Sequence, residues 1–154
     1  MASSAQNPPA PLVGLVIVTH GGSGECLLSA AQGLVGTIDR AAAVSVMLED
    51  SFDAQVSRIE AACARVDGGA GLVILADVHG SSPFRASLAM LDGTRAVEIV
   101  CGVNLPMLIK LATVDRQALR PVEIAEIAKE VGKRSIRLGS ELTGKITLSR
   151  EERH

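Results

Sequence analysis

Two short stretches carry side chains that can do more than pack. Thr19-His20-Gly21-Gly22-Ser23-Gly24 sets an imidazole at the mouth of a glycine-rich turn. Asp77-Val78-His79-Gly80-Ser81-Ser82 sets a carboxylate, a second imidazole and two hydroxyls in another. A carboxylate that accepts the Nδ1–H of an imidazole fixes its tautomer and leaves the Nε2 lone pair free to attack. It also stabilises positive charge on the ring as a group is gained or lost. Backbone N–H groups of residues 21–24 and 81–84, with the Ser82 hydroxyl, suit phosphate oxygens where turns open into helices. His20 as nucleophile, Asp77 as its orienting acid and an anion cradle from Gly21, Gly22, Ser81 and Ser82 are together the parts of a phosphoryl-accepting histidine.

Taken singly, each residue has a plainer reading. A histidine at a strand end is commonly structural or solvent-facing. Asp77 can cap the turn before Pro83. Gly21, Gly22 and Gly24 can simply permit positive φ. His79 is a rival acceptor, ranked below His20 because it lies inside its loop and not at a strand end. His154 falls in the tail. Other motifs fail: Gly22-Ser23-Gly24 starts a dinucleotide fingerprint, but Leu27 stands where its third glycine belongs. Ser23, His20 and Asp77 lack the elbow and the chain order of a hydrolase triad. Three histidines and three scattered cysteines give no metal-ligand spacing.

The elements that must position these turns follow from hydrophobic patterning. Residues 12–18 form an apolar, β-branched run, read as a strand buried on both faces. Residues 25–35 follow as a helix with Leu27, Ala30, Ala31 and Leu34 at helical spacing. Residues 42–48 alternate as a second strand. Asp50 or Ser51 caps a helix carrying Phe52, Val56, Ile59, Cys63 and Val66 as its stripe. Residues 72–76 are a third buried strand, ending at Asp77. Pro83 opens a helix with Phe84, Leu88 and Leu91 inward. Residues 96–101 are a fourth strand, residues 105–112 a short apolar helix, and Pro121 opens a long helix. Ile146 and Leu148 alternate with polar neighbours as a short edge strand, residues 145–149. Strands alternating with helices predict an α/β three-layer sandwich with a mostly parallel central sheet of four strands. The late half-polar strand is expected at an edge, open to pairing with another subunit.

The totals set outer bounds. A chain of 154 residues with 47% hydrophobic residues suits one domain with a sizeable core. The expected division is a loose leader at 1–11, a domain at 12–149 and a frayed tail at 150–154. The leader lacks the basic start and hydrophobic stretch of a signal peptide. A net charge of −2 with only two aromatics, Phe52 and Phe84, argues against nucleic-acid binding. No apolar run reaches a membrane span. Single cysteines at 26, 63 and 101 read as reduced, mostly buried thiols in a cytoplasmic protein.

Three motifs carry a family resemblance: Val16-Ile17-Val18-Thr19-His20-Gly21, Ala76-Asp77-Val78-His79-Gly80-Ser81-Ser82-Pro83-Phe84, and Cys101-Gly102-Val103-Asn104-Leu105-Pro106-Met107-Leu108. In order and spacing the chain from Val13 onward resembles the mannose-family enzyme IIA domain of the bacterial phosphoenolpyruvate-dependent sugar phosphotransferase system. The resemblance implies a homodimer that exchanges an antiparallel edge strand. It implies that His20 takes a phosphoryl group from HPr or a related carrier and passes it to a IIB partner. Asp77 would then orient the imidazole and Ser82 contact phosphate, with no nucleotide, cofactor or metal. Transport through a membrane complex and regulation by a phosphorylation switch uncoupled from sugar uptake both fit. The chain departs from the family at His79, where a bulky or aromatic residue is usual, and at Ser81, where glycine is usual.

Overall fold

The computed structural model describes residues 10–144. In chain order the elements are β1 (Gly14–His20), α1 (Ser23–Val35), β2 (Ala41–Val46), α2 (Phe52–Val66), β3 (Leu72–Ala76), α3 (Ser82–Ser87), β4 (Val97–Cys101), α4 (Leu105–Thr113), α5 (Pro121–Arg134) and α6 (Gly139–Thr143). A 3-10 turn, Leu88–Met90, continues α3. All four strands run parallel in the order β2-β1-β3-β4.

Strand periodicity divides the core into two layers. Leu15, Ile17, Val73 and Leu75 face one side, against Ala31 of α1, Met107, Leu108 and Leu111 of α4, and Ile124 and Ala128 of α5. Val16, Val18, Leu72, Ile74, Val44 and Val46 face the other, against Ile59, Ala62, Cys63 and Val66 of α2 and Ala86 and Met90 beyond β3. Successive side chains of a strand point to opposite faces. An uninterrupted apolar run such as residues 13–18 is therefore the sequence of a strand covered on both sides. The expected α/β architecture with helices on both faces of a parallel sheet is what forms.

Local chemistry sets the helix starts. Ser51, not Asp50, caps α2, its hydroxyl accepting from the Ala54 N–H at 3.2 Å. Asp50 instead accepts from the Met47 N–H at 2.6 Å and pairs with Arg58. Asn104 caps α4. Arg116, expected only as part of a polar connector, is buried. Its guanidinium donates to the carbonyls of Val13 and Asp39, each at 2.7 Å, and closes the amino end of the sheet.

Several sequence expectations are corrected. Helix α1 starts at Ser23, and Ala30 and Leu34 are exposed, Leu34 by 67%, rather than on its inner face. Of the three cysteines Cys63 alone is buried, while Cys26 is exposed on α1 and Cys101 half-buried. Strand β2 stops at Val46, leaving Met47 and Leu48 outside it. Phe52 begins α2 on its solvent side. Leu88 and Leu91 point outward, while Met90 is buried. The cause is the tighter 3-10 turn after Ser87: at three residues per turn it rotates the apolar stripe away from its α-helical positions. The short helix α6 was not anticipated. The expected edge strand at 145–149 lies outside the described residues.

Candidate active site

Sheet order decides where a site can form. From β1 the chain runs outward to β2 and then returns to lay β3 on the other side of β1. The connections therefore leave β1 and β3 in opposite directions, and a crevice opens between their carboxyl ends. His20 is the last residue of β1, and Asp77 directly follows β3. The pairing of Val18 with Ala76 brings the two turns side by side.

The two residues meet directly. The backbone N–H and the ring Nδ1 of His20 both lie 2.8 Å from Asp77 Oδ2. A carboxylate only accepts, so Nδ1 carries the hydrogen, and in the neutral ring Nε2 is the nitrogen with the lone pair. The other oxygen, Oδ1, accepts from the Val78 N–H at 2.7 Å. Burial pushes the Asp77 carboxyl up. The His20 backbone N–H, the His20 ring and the Val78 N–H outweigh burial and hold it below the usual carboxylate value. The His20 side chain is 52% exposed.

Both turns are braced from behind. Thr19 is fully buried, and its Oγ1 accepts from the Gly24 N–H at 2.7 Å. A side chain at Gly24 would sit 2.8 Å from that oxygen, so glycine permits the first turn of α1 to close on the end of β1. The Ser23 hydroxyl donates to the His20 carbonyl at 2.9 Å. Under Asp77, Gly102 donates to its carbonyl and Val103 to that of Ala76, both at 3.0 Å. The third sequence motif thus supports the second.

Fewer backbone N–H groups are left for an anion than the sequence suggests. Gly21 adopts φ +53° and donates its N–H to the Val46 carbonyl at 2.9 Å, so that group extends the β1–β2 ladder. The N–H of Gly24 is taken by Thr19. Among the described residues, those of Gly22 and Ser23 have no protein acceptor. In the second loop Ser81 donates its N–H to Val78, and its hydroxyl caps the Phe84 N–H. Pro83 has no N–H to give, which leaves the Ser82 N–H. The Ser82 hydroxyl is turned toward Gln55. His79 stacks against Phe84, with centroids 5.2 Å apart and planes tilted by 43°, and makes no bond to Asp77. Sequence reasoning missed Thr19 and Gln55. The signal for Gln55 was a polar residue in register with the buried stripe of Ile59, Ala62 and Val66. Among the described residues no group of three His, Cys, Asp or Glu side chains is placed to hold a metal.

A doubly wound parallel domain with a carboxylate-held histidine at its switch point defines the class. Comparison with known proteins gives the family. The family model described as the PTS system fructose IIA component matches residues 14–129, and the chain belongs to this family of phosphotransferase-system IIA components. Over 125 residues it is 26% identical to the PTS system mannose-specific EIIAB component of Escherichia coli (strain K12). That match covers 81% of this chain and 39% of the relative, so the chain spans about two-fifths of the length of the curated relatives it matches. The mannose/sorbose specific IIA subunit from Enterococcus faecalis superposes with a TM-score of 0.73 at 26% identity, covering 90% of this chain and 98% of that one. The EIIA component from Streptococcus agalactiae shares the fold, with a TM-score of 0.75 at 16% identity over 84% of this chain and 99% of that one.

Proposed function

We propose that this protein is a phosphoryl carrier of a sugar phosphotransferase system, with His20 as the acceptor. The observation that carries the proposal is the 2.8 Å contact between His20 Nδ1 and Asp77 Oδ2 on a ring that is otherwise half exposed. Nε2 attacks the phosphorus of a phosphohistidine on an HPr-like carrier. The new N–P bond forms as the donor's N–P bond breaks, and its electron pair stays on the donor ring. The positive charge that appears on the His20 ring lies against the Asp77 carboxylate. The N–H groups of Gly22, Ser23 and Ser82 face the phosphoryl oxygens, with the Ser82 hydroxyl as a further contact. In the return step a IIB partner's nucleophile attacks the same phosphorus, and the bonding pair goes back to Nε2.

The quaternary reading is a homodimer in which residues 145–149 of one copy pair with the sheet of the other. Supporting it, β4 is an outer strand whose far edge borders a groove of about 280 Å³ beside α5, lined by Glu98, Ile99, Val122 and Lys129 among others. No helix among the described residues is long and apolar enough to cross a membrane. A cytoplasmic protein, at most peripheral to a membrane complex, fits the proposal.

Incubation with phosphoenolpyruvate, enzyme I and HPr tests it. One acid-labile, base-stable phosphate is expected on the wild type and on His79→Ala, and none on His20→Ala. Labelling that survives the loss of His20 defeats the assignment.

A further inference from the structure

Gln55 is 5% exposed on the inner face of α2, and the chemistry above makes no use of it. Its carboxamide joins two loops of the carboxyl edge. Nε2 donates to the Asp50 carbonyl at 3.1 Å, and Oε1 accepts from the Ser82 hydroxyl at 2.5 Å. One end fixes the direction of this chain. A backbone carbonyl only accepts, so the NH2 group faces Asp50 and the oxygen faces Ser82. The Ser82 hydrogen then points at Gln55, and Ser82 offers lone pairs elsewhere. A phosphoryl group brings three acceptor oxygens, to which a serine so oriented cannot donate.

We propose that Gln55 is a positioning residue that competes with the phosphoryl group for the Ser82 hydroxyl proton, and so sets how firmly His20 retains phosphate. The inference rests on the reading of His20 as acceptor and Ser82 as a phosphate contact. To donate to phosphate, the hydroxyl turns away from Gln55 and leaves Oε1 buried without its partner. An unpaired buried acceptor is unfavourable, so the phosphorylated state is weakened relative to the free one. Only a hydrogen bond changes partner, and the N–P bond is made and broken as described above. A carrier must release its phosphate as readily as it accepts it, and Gln55 favours release.

Gln55→Met tests this, because it keeps the length of the side chain and removes the acceptor. The bond to the Asp50 carbonyl is lost in both states and cancels from the equilibrium. The full chain is equilibrated with HPr and phospho-HPr at a fixed ratio, and the phosphorylated fraction is read by intact mass. The ratio of phosphorylated to free protein is expected to rise about fivefold, the worth of one net hydrogen bond. In a Ser82→Ala background the same substitution is expected to change nothing. In the wild type, the Gln55 side-chain amide resonances are expected to move on phosphorylation, a readout that needs no variant. An unchanged or lower ratio, an equal rise without Ser82, or unmoved resonances overturns the inference while leaving His20 as acceptor. A wild type that takes no phosphate, or takes it without His20, overturns both.

Discussion

Asp77→Asn is the sharpest perturbation of the site, because it keeps size and shape while removing charge and one acceptor. In the wild type one carboxylate oxygen serves both N–H groups of His20 and the other serves Val78. Asparagine cannot reproduce this. If its oxygen faces His20, its NH2 meets the Val78 N–H. If its oxygen faces Val78, its NH2 meets the His20 backbone N–H and donates to Nδ1, moving the ring hydrogen onto Nε2 and blocking attack. In both arrangements the positive charge that the proposed phosphorylation puts on the His20 ring loses its counter-charge. Unit charges about 4 Å apart attract by ~1 kcal/mol in water and ~4 kcal/mol at an effective dielectric of 20. A ring that is 52% exposed falls between these limits. A loss of about 2 kcal/mol corresponds to roughly 30-fold in rate, and the tautomer change adds to it. The assay is the initial rate of phosphate transfer from phospho-HPr, with circular dichroism to confirm folding. A folded Asp77→Asn protein labelled at the wild-type rate would refute the argument that this carboxylate orients and charges the acceptor.

Acid stability follows from the same contact. The folded Asp77 carboxyl is held below its ordinary value of 3.8, so the unfolded chain binds that proton more tightly. Its contribution is complete above pH 3.8 and is lost as pH falls through the lower folded value, so wild-type Tm should fall more steeply than that of Asp77→Asn in that window. Thr19→Val keeps the packing but strands the buried Gly24 N–H, and urea titration should show a loss of about 1–3 kcal/mol. Gly71→Ala combines φ +89° with a Cβ 2.4 Å from the Ala96 carbonyl oxygen. That oxygen belongs to backbone at the start of the β3–β4 ladder and cannot swing aside. A loss of roughly 2–4 kcal/mol is expected by the same titration.

Much of this architecture was legible along the chain. Residues 13–18 and 72–76 are apolar without alternation, which only strands covered on both faces require. The first ends at His20 and the second at Asp77, with His79 further inside its loop, so the pairing of His20 with Asp77 could be anticipated once the strands were taken as neighbours. Their being neighbours was not legible, because local periodicity carries no information about strand order. Leu34 and Leu88 show the same limit at smaller scale. The 3-10 turn at Leu88 shifts the phase of its stripe after the pattern has been counted, and Leu34, in the last turn of α1, is exposed although it keeps helical spacing.

What the sequence by itself determined is the set of chemical parts: an imidazole and a carboxylate at strand ends, glycines that let the chain turn tightly, and hydroxyls near a helix start. Tertiary structure decided which parts remain available. The N–H of Gly21 is taken by Val46 of the neighbouring strand, and the Ser82 hydroxyl by Gln55 of the helix packed beside it. A hydrogen-bonding group has few partners to give, and who receives them depends on which distant element arrives within about 3 Å. That arrival is a property of packing, not of spacing along the chain.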